Sequence, residues 1–374
     1  MRASAVLIWV VGGLCLFGMV MLYSTSGPQG EKLFGDPNYF TQRQMLWLLA
    51  GLAAATFGAR MDYRRWLKLA WPIFGVTLVL LALVYVPGVG RNIKGSHRWI
   101  RLPAGLTFQP SELAKFATIC LMASWYGTRR RQRAGFKGGL LIPGLLLASM
   151  LGLIVFETDF GATILIGATG GGMMFVAGAP IVYLLGTGVL GGAGLAWMIS
   201  QNRQRMGRIM AFMDPEKYAQ DEAYQLLNAI YAFVAGGIGG VGLGQSLQKQ
   251  HYLPEAHTDF IFAIIGEELG IPGSLGVVLL FVAFFFCGLR ISGRAADPGG
   301  RLMAFGITLL VSLQATLNIA VVTGCLPTKG LPLPFISFGG TSLVVVLFMV
   351  GVLVNIAHQG ADRPVTRRRR KAAA

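Results

Sequence analysis

The stretch LKLAWPIFGVTLVLLALVYV, residues 67–86, contains a single charged residue, Lys68. A bilayer hydrocarbon core of about 30 Å requires roughly 20 apolar residues for a helix to cross it, so this stretch is long enough to span a membrane. The whole chain has the same character, with 54% hydrophobic residues, 13% charged residues and a mean hydropathy of +0.61. These values indicate that lipid is the main solvent of the protein.

Similar stretches recur along the chain, and about ten of them are candidate membrane helices. Their approximate ranges are 6–23, 45–59, 67–86, 111–126, 139–156, 162–177, 180–200, 260–289, 302–324 and 340–357. The first lacks the basic region and cleavage site of a signal peptide, which indicates a retained span. The sequence therefore predicts an all-α polytopic membrane protein, a single transmembrane domain over residues 1–374, with a long extracytoplasmic loop at about 201–258 between spans 7 and 8.

Basic residues predict the orientation, because Lys and Arg are enriched in cytoplasmic loops. One set of loops holds many of them: Arg60, Arg64, Arg65, Lys68, Arg129, Arg130, Arg131, Arg133, Lys137, Arg290, Arg294, Arg301 and residues 367–371. With an even number of spans, both termini face the cytoplasm, and residues 359–374 form a basic cytoplasmic tail.

The net charge of +16 could suggest binding of nucleic acid in a soluble protein. In a membrane protein the positive-inside rule and attraction to anionic lipids explain it better. The four cysteines, Cys15, Cys120, Cys287 and Cys325, lie in or beside spans without paired spacing, so we interpret them as apolar filler rather than metal ligands. No nucleic-acid partner is expected.

Two outer loops have unusual composition. The loop of residues 87–110 is basic on the side where orientation rules predict few charges, with Arg91, Lys94, His97, Arg98 and Arg101. In the loop of residues 201–258, apolar residues at helical spacing over 223–234 predict an amphipathic helix at the interface. The glycine-rich run 236–244 follows; because no strand precedes it, it indicates a flexible loop or close backbone packing rather than a dinucleotide site.

The segment LPTKGLPLPFISFGG, residues 326–340, cannot form a regular helix because its prolines interrupt helical hydrogen bonding. We expect a re-entrant or capping loop. Irregular backbone near membrane depth is tolerated only where it is buried in protein or lines a wet cavity. A cavity is therefore expected nearby.

Ionisable residues inside spans are costly and need a partner or a task. Glu112 and Lys115 lie three residues apart on one helical face, where an ion pair forms easily. The spacing is compatible both with a pair that only neutralises itself and with a role in a site. We interpret Glu267 and Glu268 as buried carboxylates satisfied by hydrogen bonds from neighbouring helices.

Two aspartates precede apolar spans at the predicted outer face. For Asp159, capping of the following helix is the favoured interpretation, since Asp is a preferred N-cap residue. Asp259 is placed at a helix start at the level of the lipid headgroups. Lys329 lies in the proline-rich loop, and together with Arg98, Arg101 and Arg208 it could hold a phosphate-bearing ligand.

Several long motifs, in order, resemble the SEDS family of shape, elongation, division and sporulation proteins over nearly the whole chain, with the RodA branch as the closer likeness. They are GSHRWI at 95–100, QPSELAK at 109–115, LPEAHTDFIF at 253–262, GEELG at 266–270 and GLPLPFISFGG at 330–340. One departure is ETDFGAT at 157–163, where the family usually has a proline before the aspartate and a leucine after it.

This resemblance implies a peptidoglycan glycosyltransferase that polymerises lipid II into β-1,4 glycan at the outer face of the bacterial inner membrane, with inversion and release of undecaprenyl pyrophosphate. It implies that Asp259 is the general base on the acceptor 4-hydroxyl. The candidates for binding the pyrophosphate are Arg98, Arg208 and Lys329. The residues expected to line the cavity or orient the base are Glu112, Lys115, Asp159, His257 and Ser337.

The resemblance also implies a class B penicillin-binding protein, a transpeptidase, as partner. A divalent cation, Mg²⁺ or Mn²⁺, could assist the pyrophosphate, although no ligand set with metal spacing is visible.

The main alternative is a lipid II flippase, for which ten spans and a broken loop would also be suitable. Against it, the charged groups cluster on one face rather than at the midplane. A non-catalytic scaffold is a third possibility, but it gives no reason for charges inside spans.

Overall fold

The computed structural model describes residues 3–93, 96–101, 107–128, 136–221, 223–250 and 252–361, and the side chains of residues 92, 93, 96, 97, 203 and 204 are outside this description. Most of these residues are helical. The helices are α1 Ala3–Phe34, α2 Tyr39–Arg60, α3 Tyr63–Lys68, α4 Ala70–Leu83, α5 Pro110–Thr128, α6 Ile142–Phe156, α7 Phe160–Val176, α8 Ile181–Ser200, α9 Arg203–Met213, α10 Tyr224–Gly236, α11 Ile261–Arg294, α12 Pro298–Val322 and α13 Gly340–Ala361. A π-helical turn, Lys137–Leu141, leads into α6.

Each of the ten predicted spans overlaps a helix, although the ends differ by several residues. Within the described ranges, six helical segments are long and apolar enough to cross a bilayer: Ala3–Phe34, Lys137–Phe156, Ile181–Ser200, Ile261–Arg294, Pro298–Val322 and Gly340–Ala361. Helices α4 and α7 are apolar but shorter. The helical, multi-pass membrane fold is confirmed, whereas the count of ten spans stays a prediction.

Helix α12 is central to the packing of the bundle. It packs against α5, α7 and α11, and its residues Met303, Ile307 and Leu310 are fully buried. Helices α2 and α13 approach each other closely, since a Cβ on Gly351 would lie 2.0 Å from the carbonyl oxygen of Ala55. Small residues commonly permit such contacts between membrane helices.

A small antiparallel sheet lies between α4 and α5, and the all-helical prediction did not include it. Strand β1, Gly90–Ile93, pairs with β2, Ser96–Arg101, which pairs with β3, Thr107–Phe108. This segment lies outside the predicted spans, so its backbone groups are not satisfied within a helix, and pairing between strands satisfies them instead. The sheet carries Arg98 and Trp99 to the end of the bundle where α7 and α11 begin, hereafter the site end.

The glycine-rich run packs against a break in α11. Gly270 has φ 63° and ψ −152°, which interrupts the helix. At this break the amides of Val241 and Gly242 donate to the carbonyls of Glu267 and Glu268, at 2.9 Å each. The glycine-rich run was predicted to be either a flexible loop or a site of close backbone packing, and these contacts confirm close backbone packing.

Side chains near the same break secure the segment that follows the glycine run. The carboxylate of Glu267 accepts hydrogen bonds from the Ser246 hydroxyl and, at 2.9 Å, from the amide of Leu247. Glu268 pairs with Lys249 at 2.8 Å and accepts a hydrogen bond from Ser24 at 2.7 Å. Both glutamates are buried and hydrogen-bonded as predicted, but of these partners only Ser24 belongs to a neighbouring helix; Ser246, Leu247 and Lys249 lie in the segment after the glycine run.

The helix predicted over residues 223–234 is present as α10. Its apolar residues do not share one buried face, because Leu226 is buried whereas Tyr231 and Val234 are exposed. The exposed apolar surface continues onto Ile238 of the glycine run and Ile271 of α11. An apolar surface of this kind is suited to contact with lipid.

Gly240→Ala is expected to lower the free energy of unfolding by more than about 1 kcal/mol, because Gly240 has φ +78° and a Cβ there would lie 2.3 Å from the carbonyl oxygen of Glu268. Thermal unfolding in detergent measures the loss. Gly239→Ala is the matched control, since a Cβ at that neighbour meets nothing within 4 Å. Equal melting temperatures for the two variants would contradict this packing.

Candidate active site

Asp259 lies immediately before Phe260, the N-cap residue of α11, and is half-buried. Its carbonyl oxygen accepts a hydrogen bond from Asn318 Nδ2 of α12 at 2.7 Å. Its carboxylate lies against Gly330, where a Cβ would come within 2.8 Å of Asp259 Oδ2. The proline-rich segment and the start of α11 are therefore in direct contact at this carboxylate.

Two amide side chains of α12 hold the proline-rich segment. Asn318 Nδ2 donates to the carbonyl of Leu331 at 2.6 Å, and Gln314 Nε2 donates to the carbonyl of Pro332 at 2.8 Å. Both amides are buried. The irregular conformation predicted for residues 326–340 is confirmed up to the start of α13 at Gly340, and these side chains bond two of its carbonyls.

The ion pair predicted between Glu112 and Lys115 is formed, with Lys115 Nζ 2.7 Å from Glu112 Oε1. Both residues are buried on α5. Lys115 Nζ also donates to Gln314 Oε1 at 3.0 Å. Because Gln314 in turn holds Pro332, the pair is linked to the proline-rich segment by two hydrogen bonds, and it does more than neutralise itself.

Asp159 caps α7, since its Oδ1 accepts a hydrogen bond from the amide of Ala162 at 3.1 Å. The same carboxylate accepts a hydrogen bond from Gln109 Nε2 at 3.1 Å and lies 3.7 Å from Arg98 Nη1. Arg98 also donates to the carbonyl of Thr158 at 2.7 Å. The capping interpretation is confirmed, and the cap is at the same time an anchor for Arg98.

Three arginines gather at the start of α7. Arg205 lies over the ring of Phe160, 4.3 Å from its centroid. Burial, followed by the charges of Arg98 and Arg208, lowers the pKa of Arg205 below its ordinary value. The Arg205 guanidinium is therefore near those of both Arg98 and Arg208. Arg205 is the member of this cluster that the sequence-based candidates did not include.

The arginine cluster and Asp259 lie on the two sides of one segment. A Cβ on Gly161, in the first turn of α7, would lie 3.5 Å from the carbonyl of Gly330, and Gly330 touches the Asp259 carboxylate. Lys329, the preceding residue, is half-buried, and burial lowers its pKa. The structure thus brings Asp259, Lys329 and the arginine cluster to the same end of the bundle.

Glu157 is a buried acid beside this cluster that sequence reasoning did not select. Burial and the nearby charge of Asp159 raise its pKa to about 9, although Arg98 acts in the opposite direction. At neutral pH the carboxyl is therefore protonated. In this state it does not reduce the positive charge of the three arginines.

His257 and Ser337 have structural contacts next to the site. The His257 ring packs against Phe40 and Phe338, with centroid distances of 4.5 and 5.8 Å. The Ser337 hydroxyl accepts a hydrogen bond from the amide of Leu333 at 2.8 Å, and its carbonyl accepts one from Gln44 Nε2 at 3.1 Å. Both residues are buried. Their contacts shape the turn next to Asp259.

A cavity of about 270 Å³ opens on the Thr258 side of Asp259. It is lined by Arg43, Trp47, Trp99, Thr107, Thr258, Phe338, Gly339, Gly340 and Thr341. This is the cavity expected near the proline-rich segment. Arg43 and Trp47 were not among the sequence-based candidates, because Arg43 is a single charged residue before the predicted span 45–59 and Trp47 is one apolar residue within it.

The remaining basic residues of loop 87–110 are not drawn into the site by any described contact. Arg91 and Arg101 are exposed on the sheet, while Lys94 and the His97 side chain lie outside the description. Within the part of the chain that the structure describes, no group of three or more His, Cys, Asp or Glu residues is arranged to hold a metal ion.

Comparison with known proteins adds independent information. The family model of the cell cycle proteins FtsW, RodA and SpoVE matches residues 5–362. A probable peptidoglycan glycosyltransferase FtsW of Trichlorobacter lovleyi is 41% identical over 361 residues, 96% of this chain and 94% of the relative. One of the same name from Geobacter metallireducens is 42% identical over 363 residues, 97% of this chain and 96% of the relative.

Solved structures share the fold. A chain from "Structural coordination of polymerization and crosslinking by a peptidoglycan synthase complex" superposes with a TM-score of 0.77 at 26% identity, covering 96% of this chain and 98% of that chain. The rod shape determining protein RodA of Thermus thermophilus gives 0.71 at 25% identity, covering 96% and 97%. The curated relatives thus have the FtsW name, whereas the sequence motifs suggested RodA.

Glu157→Gln is expected to flatten the pH dependence of stability. An acid whose pKa rises from 4.5 to about 9 on folding stabilises the protein fully below pH 4.5, and this stabilisation is lost as the pH rises through about 9. The melting temperature of the parent protein, measured from pH 5 to about 9.5, should fall more steeply than that of the variant. Glu216→Gln, at an exposed carboxylate, should keep the parent slope.

Proposed function

Because the chain belongs to the SEDS family of FtsW, RodA and SpoVE cell cycle proteins, we propose that it is a peptidoglycan glycosyltransferase that polymerises lipid II and that Asp259 is its catalytic residue. The enzyme class is that of curated relatives about 41% identical over nearly the whole chain. The observation that carries the assignment of the site is the contact of one half-buried carboxylate with a segment that contains Lys329 and lies against the start of α7, where Arg98 and Arg205 are held.

Asp259 is the general base in this proposal. Its carboxylate accepts the proton of the acceptor's N-acetylglucosamine 4-hydroxyl as that oxygen attacks the anomeric carbon of the donor. The bond to the pyrophosphate oxygen breaks, so the α-linked donor becomes a β-1,4 glycan by inversion. A positioned base contributes roughly 10² to 10⁴-fold to the rate.

Arg98, Arg205, Arg208 and Lys329 stabilise the departing undecaprenyl pyrophosphate. Guanidinium groups bind phosphate oxygens through paired hydrogen bonds, and preorganised cations stabilise charge that develops in the transition state. The neutral Glu157 leaves this positive charge undiminished. A resident divalent cation does not fit well, because the described groups near Asp259 are largely basic; Mg²⁺ or Mn²⁺ would have to arrive with the diphosphate.

Polymerisation is supported over lipid II export. A transporter would need a site near the midplane that opens to both sides in turn. In this bundle the Glu112–Lys115 pair is buried with Lys115 bonded to Gln314, Glu267 and Glu268 are buried and hydrogen-bonded, and the arginine cluster lies at one end.

The site end would face away from the cytoplasm in the bacterial inner membrane. This orientation is supported by the basic residues at the opposite end, where Arg64 pairs with Asp297 and bonds Gln359. A class B penicillin-binding protein is the proposed partner, supported by the likeness to a synthase complex for polymerization and crosslinking.

Cell division is the proposed physiological setting, supported by relatives that have the FtsW name. Depletion of the protein should then give filamentous cells, whereas round cells would indicate a role in elongation.

Asp259→Ala is expected to abolish glycan polymer, a loss of about 10² to 10⁴-fold in rate. The assay supplies lipid II in detergent to the protein purified with its transpeptidase partner. Asp221→Ala, at an exposed carboxylate of the preceding loop, should retain activity. Equal polymer from Asp259→Ala and the parent protein would remove Asp259 from the mechanism.

Arg205→Gln is expected to lower kcat by roughly 10²-fold, because it removes a preorganised cation from the departing pyrophosphate. Lys217→Gln is the matched control, since Lys217 is an exposed cation close by along the chain. The rate of polymer formation at saturating lipid II measures both variants. Similar rates for the two would exclude Arg205 from leaving-group stabilisation.

A further inference from the structure

Asn318 joins Asp259 to the proline-rich segment. Its side chain is only 2% exposed, and the single Nδ2 group donates to two carbonyls, that of Asp259 at 2.7 Å and that of Leu331 at 2.6 Å. An amide nitrogen has two N–H donors, so this bridge uses both of them. The two carbonyls are thereby held at one point on α12.

The other atom of this amide carries no such bond. Asn318 Oδ1 is buried and makes no hydrogen bond to any residue that the structure describes. An unmet buried acceptor has a free-energy cost of about 1 to 3 kcal/mol, which an apolar residue at this position would avoid. General packing therefore does not explain the residue, whereas the bridge made by its nitrogen does.

The bridge determines the surroundings of the carboxylate. Leu331 follows Gly330, which lies so close to Asp259 Oδ2 that a Cβ would be 2.8 Å away. One helical turn before Asn318, Gln314 holds the carbonyl of Pro332 and is itself held by Lys115. Two side chains on one face of α12 thus fix successive carbonyls of the segment that touches the carboxylate.

We propose that Asn318 is a positioning residue for the glycosyl transfer: it sets the distance between the Asp259 carboxylate and the segment of Lys329 and Gly330, without touching substrate. This inference rests on the proposed role of Asp259 as base. It assigns to α12 the task of holding the base and the neighbouring cation in one fixed arrangement.

The first test is Asn318→Ala in the lipid II polymerisation assay with the complete complex. A base misplaced by about 1 Å loses roughly 10²-fold in rate, so kcat should fall by about that factor while KM stays within about twofold. Thr308→Val is the control, because Thr308 is also buried on α12 but its hydroxyl bonds only to Ala304 of its own helix. It should retain kcat within about threefold, and a parental kcat in Asn318→Ala overturns the proposal.

The second test separates positioning from general destabilisation. Gly330→Ala pushes directly on the carboxylate and should itself lower kcat. In Asn318→Ala the segment is released and can yield to the added methyl, so the double variant should lose less than the product of the two single losses, by about threefold or more. Strictly multiplicative losses would overturn the positioning role.

Two further variants keep the outcomes distinct. Asn318→Ser retains one hydroxyl donor; it should lie between the parent and Asn318→Ala, and it replaces the alanine variant if that does not fold. A parental kcat in Asn318→Ser would then overturn the inference. Asp259→Asn tests the base itself: full activity in that variant removes Asp259 as the base, whereas loss of activity there with a parental kcat in Asn318→Ala defeats only the positioning role.

Discussion

Irregular backbone inside a membrane protein needs hydrogen-bond partners, because lipid supplies none. In this protein the carbonyls of Leu331 and Pro332 in the proline-rich segment are bonded by Asn318 and Gln314, one helical turn apart on α12. The rest of the site depends on that arrangement. Lys329 lies two residues before Leu331, which has the first of the two bonded carbonyls. Gly330 lies against the Asp259 carboxylate, and the first turn of α7 packs against the same glycine. A regular helix in place of this segment could not make these contacts at one point.

The electrostatics of the site depend on which charges remain uncompensated. Asp159 is engaged by the α7 amide of Ala162 and lies beside Arg98, while Glu157 is kept neutral by burial. The charges that act on Arg205 are the positive charges of Arg98 and Arg208. The pKa of Arg205 is lowered first by burial and then by the charges of Arg98 and Arg208, and the second cause is the cost of this crowding. A ligand with two negative phosphates would relieve it, which is the physical basis for assigning the cluster to the leaving group.

The sequence predicts features that depend on local spacing. The Glu112–Lys115 pair follows from a separation of three residues, the Asp159 cap follows from its place before an apolar helix, and the irregular loop follows from its prolines. Features that depend on distant contacts are not predictable in this way. Gln314 and Asn318 are neutral amides in an apolar span, and the raised pKa of Glu157 depends on burial that exists only in the folded bundle.

The long loop shows how such distant contacts place Arg205, the cation that we propose stabilises the leaving group. None of the twenty residues of α8 is fully buried, so α8 packs only lightly against the bundle. The Arg205 guanidinium over Phe160 links α9 to the start of α7, while the glycine run fixes the other part of the loop to the break in α11. One contact of Arg205 thus has two consequences. It holds α9 against the bundle, and it places a positive charge at the site end of the same bundle.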